Sequence, residues 1–229
     1  MYTYKRITLL SGHYGSGKTN LAVNLAYDLK RRYEHVAIAD IDIVNPYFRT
    51  KDSIQELEKA GIRLICSPFA NSNLDIPALP QDIYSITDDR SVMSVVDIGG
   101  DDRGALALGR WTPGILEEDN YEMLLVINRF RPLTPDAPST IEVMREIETA
   151  GGLPFTGIVN NSNLGVETTA EDVLSSMPYA DAISRLSGLP LRMTSVMDAL
   201  YAPLKNRIPN LFPLKITCKG VNEYGKANI

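Results

Sequence analysis

The feature that most constrains this chain is an eight-residue segment near its start, Gly12-His13-Tyr14-Gly15-Ser16-Gly17-Lys18-Thr19. The segment matches the pattern G-x-x-x-x-G-K-[ST], in which glycines let backbone N–H groups turn inward around phosphate oxygens. The apolar run Ile7 to Leu10 precedes it, and Leu21, Leu25 and Leu29 follow it at helical spacing. The pattern therefore predicts a strand, a phosphate-binding loop and a helix in direct succession.

The rest of the chain alternates short apolar runs with stretches of helical spacing. Runs that are apolar at nearly every position are typical of strands covered on both faces. The alternation predicts a mostly parallel α/β sheet with helices on both faces, in a single domain over residues 1–229 with a partly loose tail over 215–229. The predicted strands are Ile7 to Ser11, Val36 to Asp40, Ile62 to Cys66, Val92 to Asp97, Met123 to Ile127, Phe155 to Asn160 and Leu189 to Ser195.

The predicted helices follow from apolar stripes and from turn residues that begin or end them. A proline favours the first turn of a helix, and a glycine favours the position just after its end. The prolines of two other stretches predict loops, a long one over residues 67–80 and a rigid one over residues 131–138. The predicted helices are the Leu21 to Leu29 stripe, Ile54 to Gly61, Pro138 to Gly151 and Met197 to Leu204.

The composition narrows the classes of function and partner. The chain has 23 Lys and Arg and 28 Asp and Glu, a net charge of −5, which argues against a nucleic-acid partner. No apolar run approaches the roughly 20 residues of a membrane helix, and the apolar stretch at the start is too short for a signal peptide. Cys66 and Cys218 form neither a metal-site spacing nor a disulfide framework. We therefore expect a cytoplasmic protein without a membrane partner.

The glycine-rich loop carries the predicted phosphate chemistry. Lys18 is predicted to bridge the β- and γ-phosphates of a nucleotide, and the Thr19 hydroxyl to bind Mg²⁺. The helix that follows directs its positive end at the same phosphates. The predicted nucleotide-contacting residues are Gly12, His13, Tyr14, Gly15, Ser16, Gly17, Lys18, Thr19 and Asn20.

Three carboxylates lie where such a loop needs acidic partners. Asp97 ends an apolar strand and precedes two glycines, which suits a group that holds Mg²⁺. Asp40 and Asp42 end another strand and point to one side of it, an arrangement of like charges that a cation stabilises. The alternatives are an acidic strand end that meets solvent for Asp97 and a capped turn for the segment after Asp42.

These residues resemble the MinD/ParA/CobQ/CobB family of P-loop nucleotide-binding domains. The resemblance covers the chain from Ile7 to about Leu204, and it implies a P-loop NTPase fold, ATP and Mg²⁺. It further implies that Asp42 orients the attacking water and that Asp40 or Asp97 is the Mg²⁺ partner. The matching pieces are Gly12 to Thr19, Asp40 to Asp42, Val95 to Gly100 and Gly157 to Asn160.

The same resemblance indicates how the base is bound. In such proteins an asparagine after a late strand contacts adenine, which makes Asn160 the predicted base-binding residue and Asn128 the second candidate. Either asparagine could instead cap a strand end or a turn. The chain has no N-K-x-D guanine signature, so ATP is favoured over GTP.

The chain departs from the family at the loop itself. His13 stands where the family has a lysine that reaches the other subunit's nucleotide in a dimer, and Tyr14 stands where it has glycine. Imidazole is shorter than lysine and mostly neutral near pH 7, so the substitution weighs against a nucleotide-bridged homodimer.

Three hypotheses for function follow from these residues. The leading one is an ATP-binding switch with slow Mg²⁺-dependent ATPase activity, in which loops at residues 45–49 and 99–103 change a protein partner's affinity. The second is a metabolic enzyme that activates a carboxylate substrate with ATP, as dethiobiotin synthetase-like and cobyrinate amidase-like relatives do. The third is a nucleotide-sensing adaptor that does not hydrolyse ATP, a hypothesis motivated by His13.

Overall fold

A computed structural model describes residues 2–42, 51–66, 81–99, 108–109 and 111–215. Within those residues eight strands form one sheet, and every neighbouring pair is parallel. Their order across the sheet is β3-β2-β4-β1-β5-β6-β7-β8. The strands are β1 (Ile7–Ser11), β2 (Val36–Asp40), β3 (Ile62–Cys66), β4 (Met93–Asp97), β5 (Tyr121–Ile127), β6 (Gly157–Asn160), β7 (Leu191–Met197) and β8 (Leu211–Leu214).

Helices connect the strands. Because neighbouring strands run in the same direction, the chain must cross back from the carboxyl end of one strand to the amino end of the next. Of the described helices, none is long and apolar enough to cross a membrane. The helices are α1 (Lys18–Lys30), α2 (Lys51–Lys59), α3 (Ser85–Asp88), α4 (Thr112–Glu118), α5 (Ala137–Gly151), α6 (Ala170–Ser187) and α7 (Asp198–Leu204), with 3₁₀ turns at Gln81–Tyr84 and Gly165–Glu167.

Alternate residues of the central strands enter two separate cores. In β1, Ile7 and Leu9 pack into one core, whereas Leu10 packs into the other. The second core contains the predicted stripe of α1, since Leu21 and its companions at helical spacing are fully buried there. A sheet with apolar residues on both faces needs helices on both faces, and the predicted α/β fold class is therefore confirmed.

The seven predicted strands are confirmed, with ends that differ by at most two residues. The sequence analysis missed α3, α4, α6 and β8. Pro178 lies inside α6 and Pro213 inside β8, and a proline usually argues against both elements. β8 tolerates it because it is an edge strand, where one backbone side needs no hydrogen-bonding partner.

The predictions for residues 45–49, 67–80, 100–103 and 216–229 lie outside the described residues, and the single-domain boundary stays a prediction.

A buried ion pair joins the start of β1 to the end of α4. Arg6 pairs with Glu118, and each side chain is only 5% exposed. The Arg6 guanidinium also donates to the carbonyl oxygens of Asp89 (3.3 Å) and Val92 (2.8 Å), just before β4. The Arg6 side chain therefore joins the start of β1, the end of α4 and the segment before β4, at the end of the sheet where the strands begin.

We expect Glu118→Ala to lower the free energy of unfolding by about 3–5 kcal/mol, because it leaves a buried guanidinium without its counter-charge. Arg31→Ala is the control: Arg31 is 72% exposed and lies 3.9 Å from Asp28, so its loss is expected to cost under about 0.5 kcal/mol. Urea denaturation measures both. Equal losses in the two variants would contradict the structural role of the Arg6–Glu118 pair.

Candidate nucleotide site

Two glycines of the loop lie where a side chain has no room. Gly12 has φ 145°, and a Cβ added to it would approach the carbonyl oxygen of Val126 in β5 to 2.4 Å. Gly17 has φ 88°, and its added Cβ would lie 2.4 Å from Nδ2 of Asn161. Both positions also require a positive φ that favours glycine. The glycines of the motif therefore allow the loop to lie directly against β5 and the segment after β6.

The amino-terminal end of α1 differs from those of the two longest other helices. No side chain caps α1 at Gly17, and its first turn contains no acidic residue. By contrast, Asp136 caps α5 and Thr169 caps α6 through side-chain hydrogen bonds to backbone N–H groups. A helix start without a side-chain cap and without an acidic residue in its own first turn retains a positive partial charge. Beside a glycine-rich loop, that is the arrangement expected of an anion site.

The ammonium group of Lys18 lies within the curve of the loop. Its Nζ donates to the carbonyl oxygens of Gly12 (2.9 Å) and His13 (3.3 Å), and the residue is 7% exposed. The loop closes on itself through the Ser16 N–H, which donates to the His13 carbonyl oxygen at 3.1 Å. Lys18, which is predicted to bind phosphate, is therefore held by carbonyl oxygens of the loop. The backbone amides of that same loop are predicted to surround the phosphate.

The remaining predicted residues of the loop lie at its surface. Tyr14 is 65% exposed at the tip, and its carbonyl oxygen lies 2.8 Å from Nδ1 of His13. Asn20 is half-buried in the first turn of α1, where its carbonyl oxygen accepts a hydrogen bond from Asn24. The structure thus brings the whole predicted motif into one compact turn at the carboxyl edge of the sheet.

Thr19 and Asp97, predicted from distant parts of the sequence to serve Mg²⁺, are in direct contact. The Thr19 hydroxyl donates to Oδ2 of Asp97 at 2.5 Å. Asp97 is 1% exposed, and its other oxygen, Oδ1, has no hydrogen-bond partner among the described residues. The buried hydroxyls of Ser11 and Ser16 likewise have none. Buried polar atoms without partners are rare in proteins and often mark a ligand site.

Asp40 and Asp42 lie beside this pair. The parallel register places Asp40 opposite Asp97 at the ends of β2 and β4. Oδ1 of Asp40 accepts a hydrogen bond from the Asp42 backbone N–H at 3.0 Å, and Asp42 is half-buried. The three predicted carboxylates are therefore gathered at the carboxyl ends of two neighbouring strands.

Burial raises the pKa of the Asp97 carboxyl to about 6. The nearby charge of Lys18 and the hydrogen bond from Thr19 act in the opposite direction, and the negative charge of Asp42 raises the pKa slightly further. Burial dominates because the ionised form loses its hydration. A cation at Oδ1 would offset that cost.

The donor set fits Mg²⁺. This ion prefers carboxylate and hydroxyl oxygens, and it is usually held by one or two carboxylates together with substrate phosphates. Asp97 offers an unpartnered carboxylate oxygen, Thr19 a hydroxyl, and Asp40 a neighbouring carboxylate. Within the described residues no cluster of three or more His, Cys, Asp or Glu side chains could hold a metal ion.

Both asparagines predicted to bind the base are engaged in internal hydrogen bonds. Asn160 is fully buried, its Nδ2 donates to Oγ of Ser176 at 2.9 Å, and its Oδ1 accepts from the backbone and hydroxyl of Ser162. Asn128 is buried as well, and its Oδ1 accepts from two backbone N–H groups of the adjoining loops. The geometry supports the alternative that they cap strand ends, and base recognition by either residue stays a prediction.

The sequence analysis missed Asn161. Its Nδ2 donates to the Ser16 carbonyl oxygen at 2.7 Å, its Oδ1 accepts from the Ser195 hydroxyl at 2.5 Å, and the residue is 2% exposed. It therefore connects the phosphate loop to β7. The signal in the sequence was the polar run Asn160-Asn161-Ser162-Asn163 directly after an apolar strand.

Comparison with known proteins identifies the architecture. No family model matches the chain, and no curated protein matches it. Solved structures do: FtsY from Mycoplasma mycoides aligns with a TM-score of 0.52 at 21% identity, over 86% of this chain and 64% of that one. The cell division protein FtsY from Thermotoga maritima gives 0.54 at 20% identity, over 83% and 61%. Chloroplast FtsY from Physcomitrella patens gives 0.51 at 15% identity, over 85% and 59%.

The fold is that of a P-loop NTPase. At these identities the likeness shows the fold alone. The MinD/ParA family itself stays a prediction. The chain spans less than two thirds of each of these FtsY structures.

The raised pKa of Asp97 makes the stability of the protein without nucleotide or metal depend on pH. Because the folded protein holds this proton more tightly than the unfolded chain does, the raised pKa stabilises the folded state at pH values below the ordinary carboxyl pKa. This stabilisation is lost as the pH rises through about 6. We expect Asp97→Asn, which retains an oxygen for Thr19, to be more stable than the parent at about pH 8 by roughly 2–3 kcal/mol. The difference should vanish near pH 4.

Urea denaturation of both proteins across this pH range, in the presence of a chelator, measures the effect. A variant whose stability parallels that of the parent at every pH would show that Asp97 carries no burial cost.

Proposed function

We propose that this protein binds ATP with Mg²⁺, hydrolyses it slowly and acts as a nucleotide-dependent switch on a protein partner. The observation that carries the proposal is the contact between Thr19 and Asp97 beside the loop that encloses the Lys18 ammonium group. A hydroxyl and a carboxylate with one unpartnered oxygen suit a metal ion, and the ammonium group and loop amides suit phosphate. Both sets of donors meet at one edge of the sheet.

Each residue has a distinct part in this proposal. Lys18 and the loop amides hold the phosphates and offset their negative charge. Thr19 and Asp97, with Asp40 beside them, hold Mg²⁺, which when bound supplies positive charge to phosphate oxygens. Asp42, half-buried at the mouth of the site, accepts a hydrogen bond from a water molecule and orients it toward the terminal phosphate.

A switch is favoured over a metabolic enzyme by the structural neighbours. FtsY proteins are nucleotide-binding GTPase switches that interact with protein partners. The fold likeness supports the same mode of action here, with a partner that neither sequence nor fold specifies. Because the neighbours are GTPases, the choice of ATP rests on the missing N-K-x-D signature, and GTP must be measured beside ATP.

Lys18→Ala should weaken the binding of MgATP by at least about 100-fold, because it removes a charge-assisted contact to the phosphates within a largely buried loop. Lys205→Ala is the matched control: this lysine is exposed after α7, and the variant should bind like the parent. Isothermal titration calorimetry with ATP and with GTP measures both the affinity and the base preference. A Lys18→Ala variant that binds as tightly as the parent would refute the phosphate site.

Asp42→Asn should lower the rate of phosphate release by about 10²–10⁴-fold while leaving ATP affinity within a few fold, since a water-orienting base acts mainly in the transition state. Single-turnover hydrolysis with excess protein measures the rate. An unchanged rate would remove Asp42 from the mechanism. A parent protein that binds MgATP and releases no phosphate would favour the nucleotide-sensing adaptor instead.

A further inference from the structure

An arginine outside the motif packs against the middle of the phosphate loop. Arg131 follows β5 in the connection to α5, and its side chain is exposed. A Cβ placed on Gly15 would lie 3.3 Å from Nε and 3.4 Å from Cζ of Arg131. The guanidinium therefore packs on the backbone of Gly15, the middle glycine of the loop.

The Arg131 guanidinium contacts the loop without a carboxylate partner among the described residues. Among the described residues it forms neither an ion pair nor a side-chain hydrogen bond. An unpaired cation that rests on a loop suited to phosphate is arranged for an anionic ligand rather than for stability. The described arginines that do pair with carboxylates are Arg6 with Glu118, Arg31 and Arg32 with Asp28, Arg145 with Glu148 and Arg192 with Glu122.

The backbone that carries Arg131 is held in place on both sides. Its N–H donates to the Asn128 carbonyl oxygen at 3.1 Å, and its own carbonyl oxygen accepts from the Thr134 N–H at 3.2 Å. The Thr134 carbonyl oxygen in turn accepts from the hydroxyl of Tyr179 in α6 at 3.0 Å. Ordering a side chain on a fixed backbone costs less entropy than ordering a whole loop.

The phosphate loop contains few positive charges to offset the negative charge of a bound phosphate chain. Position 13 is histidine, so Lys18 is the one permanent positive charge within the eight-residue motif. Guanidinium is always protonated and binds phosphate oxygens through two parallel N–H groups. A cation from the loop after β5 would add a second positive charge beside that of Lys18.

We infer that Arg131 is a nucleotide-contacting residue whose guanidinium binds the phosphate chain of the ligand. The inference rests on the proposed function and adds a group that the motif does not contain. Its contribution should grow with the number of phosphates, because the attraction is electrostatic. It should also weaken as salt is added, because the guanidinium is exposed.

The experiment compares Arg131→Gln with Arg90→Gln, which removes the same charge from an exposed arginine at the amino edge of the sheet. Calorimetry with the magnesium complexes of ATP and ADP and with AMP gives the affinities. We expect Arg131→Gln to weaken ATP binding roughly tenfold, ADP less and AMP by no more than about twofold. Arg90→Gln should match the parent, and Arg131→Lys should lie between the parent and Arg131→Gln.

Three outcomes separate this inference from the proposed function. Unchanged ATP binding in Arg131→Gln, with binding lost in Lys18→Ala, would overturn the role of Arg131 and leave the nucleotide site intact. An equal loss for AMP and ATP would also overturn it, because the guanidinium would then contact the base or ribose. A parent protein that binds none of the nucleotides would overturn both. Thermal unfolding confirms that each variant is folded.

Discussion

The parallel register of β1 between β4 and β5 is the constraint on which the site depends. Leu10 lies opposite Asp97 on one side and opposite Leu124 on the other. The loop that leaves β1 must therefore emerge beside the end of β4, and Gly12 lets it run against the backbone of β5. The first turn of α1 then meets Asp97 through Thr19. Without this register the phosphate loop and its acidic partner would lie on separate parts of the molecule.

The site holds groups that cost stability in the protein alone. Asp97 is buried with one oxygen unpartnered, and two buried serine hydroxyls near it have no partner. Each such group is unfavourable by itself. Away from the site, the buried hydroxyl of Ser94 also lacks a partner among the described residues, whereas buried Glu122 of β5 accepts hydrogen bonds from the Thr8 and Tyr2 hydroxyls. Of the four buried side-chain atoms without a partner among the described residues, three lie in or beside the candidate site, where a cation and phosphates would satisfy them.

Strands and the phosphate loop were predictable because their signals are local. A buried parallel strand is apolar at nearly every position, and the glycines and lysine of the loop stand at defined spacings. Where a local signal conflicted with tertiary context, prediction failed. Proline is locally unfavourable in both α6, which contains Pro178, and β8, which contains Pro213, although an edge strand tolerates proline. Base recognition by Asn160 stays a prediction, and the hydrogen bonds of its amide to Ser162 and Ser176 were not evident from the spacing of the motif.

By itself the sequence determined the class of fold, the phosphate loop and the acidic strand ends, since each follows from periodicity or from the chemistry of a short motif. The tertiary structure alone decided which of these residues meet. It brought Thr19 to Asp97, Asn161 to Ser16 and Arg131 to Gly15. The residues of these pairs lie 78, 145 and 116 positions apart in the chain. Their proximity depends on strand order in the sheet, which a pattern within one segment does not encode.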